Sequence, residues 1–204
     1  MTKDVLVLGS SGTIGGACVT ALIKAGATVH TPGRNFKWSP VNPWGLVCCM
    51  GSYGPKGKLA EVEASEIYQS LMLNVFTQMV QVREFIKLLD GRPGRIVLMS
   101  GGGVGSGKYP AERSSYVAAK HAIVGFVEAM GQELGERVLI NAVGPGPVKS
   151  KMTADDMRDD WVEPTVAAEL IADLVMGDYH WPYTGKLWSA RKKIAFNLRS
   201  NWDQ

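Results

Sequence analysis

The start of the chain joins a short apolar run, a glycine-rich turn and a helical pattern. Val5-Leu6-Val7-Leu8 is a continuous apolar run, as in a strand buried on both faces. Glycines follow with G-x-x-G-x-x-G spacing, and an apolar helical pattern then ends at Gly26. Such a turn lets the backbone approach a pyrophosphate, whose charge meets the free N–H groups of the helix. The stretch therefore predicts a dinucleotide-binding unit, although a plain tight turn is the alternative. The predicted cofactor contacts in the turn are Gly9, Ser10, Ser11, Gly12, Thr13, Ile14 and Gly15.

Strand and helix patterns alternate along the rest of the chain. Strands are predicted over 28–30, 46–50, 95–99, 138–143 and 186–188, and helices over 66–89, 115–134 and 166–176. This alternation indicates an α/β fold with a parallel sheet that is covered on both faces. Ligands of such sheets bind beyond the carboxyl ends of the strands, where the glycine turn, Gly51, Ser100 and Pro145-Gly146-Pro147 all fall. We expect a single domain over 1–204, with a short tail at about 190–204.

Composition excludes several classes of protein. Apolar residues at 46%, charged residues at 20% and a net charge of +3 are typical of a globular chain with neither nucleic acid nor membrane as a partner. The three cysteines, with Cys48 and Cys49 adjacent, have no disulfide or metal-ligand spacing, so no metal is expected. No secretory signal or membrane span is seen, so the expected compartment is the cytosol.

Tyr116 and Lys120 are four residues apart at the start of an apolar helical run. On a helix they lie on the same face, so a phenol and an ammonium share one space. A free phenol has a pKa near ~10, and a nearby cation lowers it toward the working range of a proton donor or acceptor. Asn74 lies beside the apolar stripe of helix 66–89, where its amide is either structural or part of a site. An exposed amphipathic face is the alternative interpretation of the Tyr116–Lys120 pair.

Arg34 follows the predicted second strand, where dinucleotide folds meet the adenosine ribose. An acidic residue there binds the 2′-hydroxyl of NAD, whereas an arginine accommodates the 2′-phosphate of NADP. Arg34 therefore favours NADP, with NAD possible, unless it is simply a solvated loop arginine.

Taken together, the chain resembles the short-chain dehydrogenase/reductase family over nearly its whole length. The motifs that carry this resemblance are the glycine turn, Cys48-Cys49-Met50-Gly51, Asn74, Ser100, Tyr116-x-x-x-Lys120 and Asn141-Ala-Val-Gly-Pro-Gly-Pro-Val148. The resemblance implies a Rossmann-type doubly wound parallel sheet and a nicotinamide cofactor. It also implies a small carbonyl or secondary-alcohol substrate, and a homodimer or homotetramer formed through the helices of Asn74 and Tyr116.

The resemblance also implies roles for individual residues. Tyr116 would be the general acid or base, and Lys120 would lower its pKa and hold the nicotinamide ribose. Asn74 would anchor a proton-relaying water, and Ser100 would orient the substrate carbonyl. The backbone of Val148 would fix the nicotinamide carboxamide. The further contacts expected beside the cofactor are Gly51, Pro145 and Gly146.

The chain departs from the family pattern in four places. The glycine spacing is that of the extended branch, which includes nucleotide-sugar epimerases and dehydratases. The usual serine position, thirteen before the tyrosine, is Gly103, so Ser100 has Ser106 as a rival. The usual third strand and its preceding helix are missing between Arg34 and Trp44, where Phe36 or Trp38 could stack on the cofactor or cover the sheet edge. Asn-Asn-Ala-Gly has become Cys48-Cys49-Met50-Gly51.

The main prediction is an NADP-preferring oxidoreductase that acts on a carbonyl or secondary alcohol. The glycine spacing leaves open an epimerase- or dehydratase-like enzyme. The shortened segment after Arg34 and the displaced serine leave open a protein that binds the cofactor without turnover.

Overall fold

One mostly parallel sheet runs through the chain. The structure is a computed structural model that describes residues 3–33, 43–101, 103–156, 159–178, 183–192 and 194–196. The strands are β1 (Asp4–Leu8), β2 (Thr28–His30), β3 (Pro43–Cys48), β4 (Gly94–Met99), β5 (Val138–Gly144), β6 (Lys186–Ser189) and β7 (Ile194–Phe196). Their order is β2-β1-β3-β4-β5-β6-β7, and all neighbours are parallel except β6 and β7. The predicted α/β fold is confirmed.

The helices connect these strands. They are α1 (Thr13–Lys24), α2 (Ala64–Leu71), α3 (Thr77–Leu89), α4 (Ser114–Leu134) and α5 (Pro164–Met176), with short 3₁₀ turns at Leu59–Glu61 and Lys151–Asp156. The long helix predicted over 66–89 is helical throughout, but a π-helical segment, Met72–Phe76, joins α2 to α3. Helix α4 ends at Gly135, whose φ of 59° is in the region that favours glycine.

The strands are apolar on both sides because each side packs against its own layer of helices. In β1, Val5 and Val7 belong to the core with α1 and α5, whereas Leu6 and Leu8 belong to the core with α3 and α4. All four are at most 5% exposed. Alternating side chains of one strand thus fill two cores, and this explains the continuous apolar runs.

The two edges of the sheet differ from a regular doubly wound sheet. The chain leaves β2 and next forms β3 on the opposite side of β1, so β2 is the outermost strand among the described residues. The shortened connection, with Arg34, Phe36 and Trp38, lies in 34–42, outside the described residues. At the other edge, β7 pairs antiparallel with β6 inside the segment that the sequence predicts as a tail.

The three cysteines are free thiols. Cys18 and Cys48 are buried, Cys49 is half-buried, and the sulfurs of Cys18 and Cys49 lie 3.9 Å apart. Within the described ranges, no group of three or more His, Cys, Asp or Glu side chains could hold a metal ion. In that same part of the chain, none of the helices has the length and apolar character needed to cross a membrane.

Candidate active site

The glycine turn after β1 is built so that backbone alone faces its open side. Gly9 has a φ of 79°, and the N–H of Gly12 donates to its carbonyl oxygen at 3.0 Å. A methyl group at Gly15 would lie 2.1 Å from that same oxygen, so the first turn of α1 closes on Gly9 only with glycine there. Gly12 caps α1 without any side-chain hydrogen bond. The N–H groups of this first turn are therefore suited to an anionic ligand such as a pyrophosphate.

Asn74 lies in the π-helical segment and is fully buried. Its Oδ1 accepts from the Ser52 N–H at 3.2 Å, and its Nδ2 donates to the Ser70 carbonyl at 3.0 Å. The wider turn thus holds the amide against the loop that follows β3. π-Helical segments are often found at functional sites.

Lys120 comes to the same place from α4. A methyl group at Gly51 would lie 2.8 Å from Asn74 Oδ1 and 3.5 Å from Lys120 Nζ, so only a glycine separates the amide from the ammonium. Lys120 is 4% exposed, and its Nζ donates to the Met99 carbonyl at 3.0 Å. Burial lowers the pKa of Lys120 to about 8. The lysine is therefore poised to exchange a proton near neutral pH.

Tyr116 lies one turn before Lys120, with the Nζ of the lysine 5.6 Å from the centre of the phenol ring. The phenol is 9% exposed, and its hydroxyl points at the backbone beyond β4, where a methyl group at Gly101 would lie 3.0 Å from Oη. Burial, with a smaller contribution from Tyr53, raises the pKa of Tyr116 to about 12, whereas Arg113 lowers it. The pKa of Tyr116 thus moves in the direction opposite to the sequence prediction, because the loss of solvent outweighs the effect of the nearby Arg113 cation.

Ser100 ends β4 as predicted, but its hydroxyl faces the helix. It is 3% exposed, and its Oγ donates to the Lys120 carbonyl at 3.3 Å. The rival Ser106 is exposed and donates to the Gly103 carbonyl at 2.8 Å. The position that faces the Tyr116 hydroxyl is Gly101. The Ser100 hydroxyl thus contacts α4 in this structure, and its role toward a substrate stays a prediction.

The remaining predicted contacts follow β5. Gly146 has a φ of 76°, and the Val148 carbonyl accepts from the Thr153 hydroxyl at 2.9 Å. Pro147 and Lys149 bond to Val162, so the segment is tied down on both sides of Val148. Pro145, Gly146 and Val148 therefore lie on a held loop beyond the carboxyl end of β5. Arg34 lies outside the described residues.

Two residues that the sequence prediction missed, Tyr53 and Arg113, contact the site. The ring centres of Tyr53 and Tyr116 are 5.0 Å apart in an edge-to-face arrangement, and the Arg113 guanidinium lies 4.1 Å over the Tyr53 ring. A signal for Arg113 was present, since it lies three residues before Tyr116 and so near it on a helix. Tyr53 gave only the signal that it follows a strand at the carboxyl edge of the sheet.

Comparison with known proteins places this arrangement in a family. The family model described as short chain dehydrogenase matches residues 41–161, more than half of the chain. A Streptomyces coelicolor protein named as a ketoacyl reductase is 31% identical over 135 residues, which are 63% of this chain and 51% of that protein. The Rickettsia bellii 3-oxoacyl-[acyl-carrier-protein] reductase FabG is 24% identical over 192 residues, 79% of this chain and 78% of that protein. The chain thus spans about half the length of the Streptomyces relative.

Solved structures agree on the fold. A variant of the actinorhodin polyketide ketoreductase, determined with NADPH, matches with a TM-score of 0.80 and 21% identity over 92% of this chain and 95% of that chain. The sheet order, the glycine turn, the Tyr116–Lys120 pair and the family match point to one conclusion. The chain belongs to the short-chain dehydrogenase family of nicotinamide-dependent oxidoreductases.

Proposed function

We propose that this chain is an NADP-preferring oxidoreductase that transfers a hydride between the nicotinamide and a carbonyl or secondary alcohol, with Tyr116 as general acid or base. The observation that carries the proposal is the convergence of Lys120 and Asn74 at Gly51, with Tyr116 one helical turn before Lys120, at the carboxyl edge of the parallel strands. Helix α4, the π-helical segment and the loop after β3 meet there, and a merely structural helix face would have no need of that arrangement.

The residues fit a nicotinamide dinucleotide. The uncapped start of α1 and the glycine turn suit its pyrophosphate, and the segment with Pro145, Gly146 and Val148 suits the nicotinamide end. Tyr116 and Lys120 would contact the nicotinamide ribose, and Arg34 the 2′-phosphate. When bound, the cofactor supplies or accepts the hydride. A structure with the same fold was determined with NADPH, in keeping with the preference for NADP.

Proton transfer falls to the side chains of the chain itself. With a pKa raised to about 12, the Tyr116 phenol holds its proton at neutral pH and can give it to a carbonyl oxygen that becomes an alkoxide. Lys120, with a pKa of about 8, lies beside Asn74 and would restore that proton through a water anchored by the Asn74 amide. Such positioned proton transfer is worth roughly 10²–10⁴ in rate.

The substrate is a carbonyl compound small enough, or extended enough, to reach Tyr116 past Tyr53. Relatives are named for ketoacyl and naphthalene-type substrates, so β-ketoacyl thioesters and fused aromatic ketones are the first compounds to test. No observation favours an epimerase, a dehydratase or a protein without turnover over this reading.

Exposed apolar side chains support the proposed homodimer or homotetramer. On the helix that contains Asn74, Tyr68 is 63% and Phe76 54% exposed. The outer face of α4 has small exposed residues at helical spacing: Ala118, Ala122, Gly125 and Ala129. Small residues let two helices approach closely, so α4 suits contact with a second copy. Sedimentation of Phe76→Glu should then show smaller particles than the parent chain. The cytosol remains the expected compartment.

Calorimetry with NADPH and NADH, followed by NADPH consumption with the substrates named above, tests the proposal. We expect tighter binding of NADPH and consumption with at least one carbonyl class. Binding of neither nucleotide would contradict the cofactor assignment, and binding without turnover across a broad carbonyl panel would contradict the enzyme assignment.

A further inference from the structure

We infer that Arg113, acting through Tyr53, is a positioning residue for Tyr116 and that its charge acts on the phenol in addition to that of Lys120. The inference rests on the function proposed above. It starts from the cluster of Arg113, Tyr53 and Tyr116, in which two elements distant in sequence meet.

Arg113 is anchored at the start of α4. It is the residue before the helix begins, three positions ahead of Tyr116. Its Nη1 donates to the Gly54 carbonyl at 2.7 Å, and its guanidinium stacks over the Tyr53 ring at 4.1 Å. Arginine is suited to this double contact because its planar, weakly hydrated group stacks on a ring while its edge donates hydrogen bonds. The Arg113 side chain therefore links the start of α4 to the loop that contains Tyr53.

The loop that contains Tyr53 has two further contacts, at Gly54 and at Gly57. Gly54 has a φ of 68°, and a methyl group there would lie 2.8 Å from Ser70 Oγ and 3.5 Å from Tyr116 Cβ. Further along, the Gly57 N–H donates to the Glu112 carbonyl at 3.0 Å. Because the loop lies this close to α4, the Tyr53 ring has little room to move away from Tyr116. The Tyr53 ring then restricts the orientation of the Tyr116 phenol.

Lys120 also has a partner of its own. Its Nζ donates to the Met99 carbonyl at 3.0 Å and lies 5.6 Å from the centre of the phenol ring. Among the described residues, the ionisable groups that these contacts place around Tyr116 are Tyr53 from the loop after β3, Arg113 just before α4, and Lys120 on α4. The neighbouring neutral groups are Ser70 of α2, across Gly54, and Gly101 after β4.

The charge of Arg113 has a defined effect on Tyr116. A cation favours the phenolate, and Arg113 lowers the pKa of Tyr116 against the raising effects of burial and of Tyr53. Removing that charge should raise the pKa further. When the chain oxidises an alcohol, Tyr116 must accept a proton, so the rise of kcat with pH should move to higher pH.

The test compares Arg113→Met with Arg113→Lys in the alcohol-oxidising direction with saturating NADP. For Arg113→Met we expect kcat to fall by roughly tenfold and its pH midpoint to rise by roughly half a pH unit or more. Arg113→Lys keeps the charge and should retain a midpoint close to that of the parent chain. Arg137→Met is the matched control, since the exposed Arg137 also donates to a backbone carbonyl, that of Gly91 at 3.0 Å, at the amino-terminal edge of the sheet. It should leave the pH profile unchanged.

A second readout does not need turnover. The tyrosinate absorbance of Tyr116 is obtained by subtracting the absorbance of the matching Tyr116→Phe protein from that of each protein. At the highest pH at which the fold persists, we expect less of this absorbance in Arg113→Met than in the parent chain. If Arg113→Met does not fold, Arg113→Gln takes its place, because glutamine removes the charge, keeps a donor for the Gly54 carbonyl and should shift the midpoint in the same direction.

An unchanged pH midpoint and unchanged tyrosinate absorbance in Arg113→Met would overturn the inference. So would an equal shift in Arg113→Lys, because the charge would then be irrelevant. Tyr116→Phe separates the two claims. If Tyr116→Phe keeps full turnover, the proposed function itself fails. If Tyr116→Phe is inactive but Arg113→Met behaves as the parent, only the role of Arg113 fails.

Discussion

The centre and the β2 edge of the binding side are built in different ways. At the centre, Asn74 and Lys120 are at most 4% exposed, and hydrogen bonds from separate elements hold them in place. At the edge, β2 has only three residues, of which Thr28 is exposed, and His30 lies 3.9 Å from its neighbour Asp4. The part proposed to move protons is thus integrated with the core, whereas the part proposed to bind the nucleotide rests on the backbone of the glycine turn and on a short edge strand. Changes at the centre should alter both stability and turnover, and changes toward the edge mainly affinity.

Gly15→Ala should have the largest effect on the nucleotide part. Its methyl group would lie 2.1 Å from the Gly9 carbonyl oxygen, so the turn must open. We expect NADPH affinity to fall by roughly a hundredfold or more, because the N–H groups of α1 no longer line up with a pyrophosphate. Gly16→Ala is the matched control, since its nearest contact is an ordinary 3.4 Å and alanine suits a helix. Equal affinity in both variants would contradict this account of the turn.

Asn74→Ala tests the centre. It removes the acceptor of the Ser52 N–H and the donor to Ser70, so unfolding free energy should fall by about 1–3 kcal/mol. Turnover should fall by roughly ten- to a hundredfold, because the loop beside Lys120 loses its anchor. Denaturant unfolding and steady-state kinetics measure the two effects.

Gln78→Leu is the control for Asn74. Gln78 is also fully buried and donates to the Met50 and Asn74 carbonyls, but it lies a turn further from Tyr116. It should lose similar stability with a much smaller loss of turnover. A similar loss of turnover in both variants would show that Asn74 acts only through stability.

Arg34→Ala addresses the β2 edge and rests on the sequence alone. Loss of a cation beside a 2′-phosphate should weaken NADPH binding by roughly tenfold and leave NADH binding nearly unchanged. Calorimetry with both nucleotides measures the ratio. An unchanged ratio would assign Arg34 to the solvated loop.

The effect of Lys120→Met on stability should be the smallest of these effects, and it should depend on pH. Burial lowers the pKa of Lys120 from 10.5 to about 8, so between these values the unfolded chain binds a proton that the folded chain does not. The unfolding free energy of the parent therefore rises with pH across that window. Methionine removes this dependence, so Lys120→Met should be more stable than the parent below pH 8, and the gap in Tm should close above pH 10.5. Cys48 and Tyr116 titrate in both proteins and cancel in the comparison. A gap that is the same at both ends would contradict the burial of a charged lysine.

Much of this architecture follows from the sequence because its causes are local. Continuous apolar runs predict strands with two covered faces, and the glycine turn and the i, i+4 pair of Tyr116 and Lys120 depend only on neighbours in the chain. The π-helical turn at Asn74 was not predictable, because it depends on the loop that receives the amide.

Tertiary packing also explains where the prediction and the structure differ. Ser100 has the right position at the end of β4, yet the approach of α4 turns its hydroxyl onto the Lys120 carbonyl. The pKa of Tyr116 is set by burial, which sequence spacing does not reveal. Strand β7 falls in a basic segment without a strand pattern, and its pairing with β6 depends on the open edge of the sheet.

The most direct test follows NADPH oxidation in a single turnover, with saturating ketone, in the parent chain and in Tyr116→Phe. Phenylalanine keeps the buried ring and removes the hydroxyl group that carries the proton. The account predicts NADPH affinity within about threefold of the parent and a rate lower by roughly 10²–10⁴. An equal rate in the two proteins would show that the proton comes from another group and would contradict the central role of Tyr116.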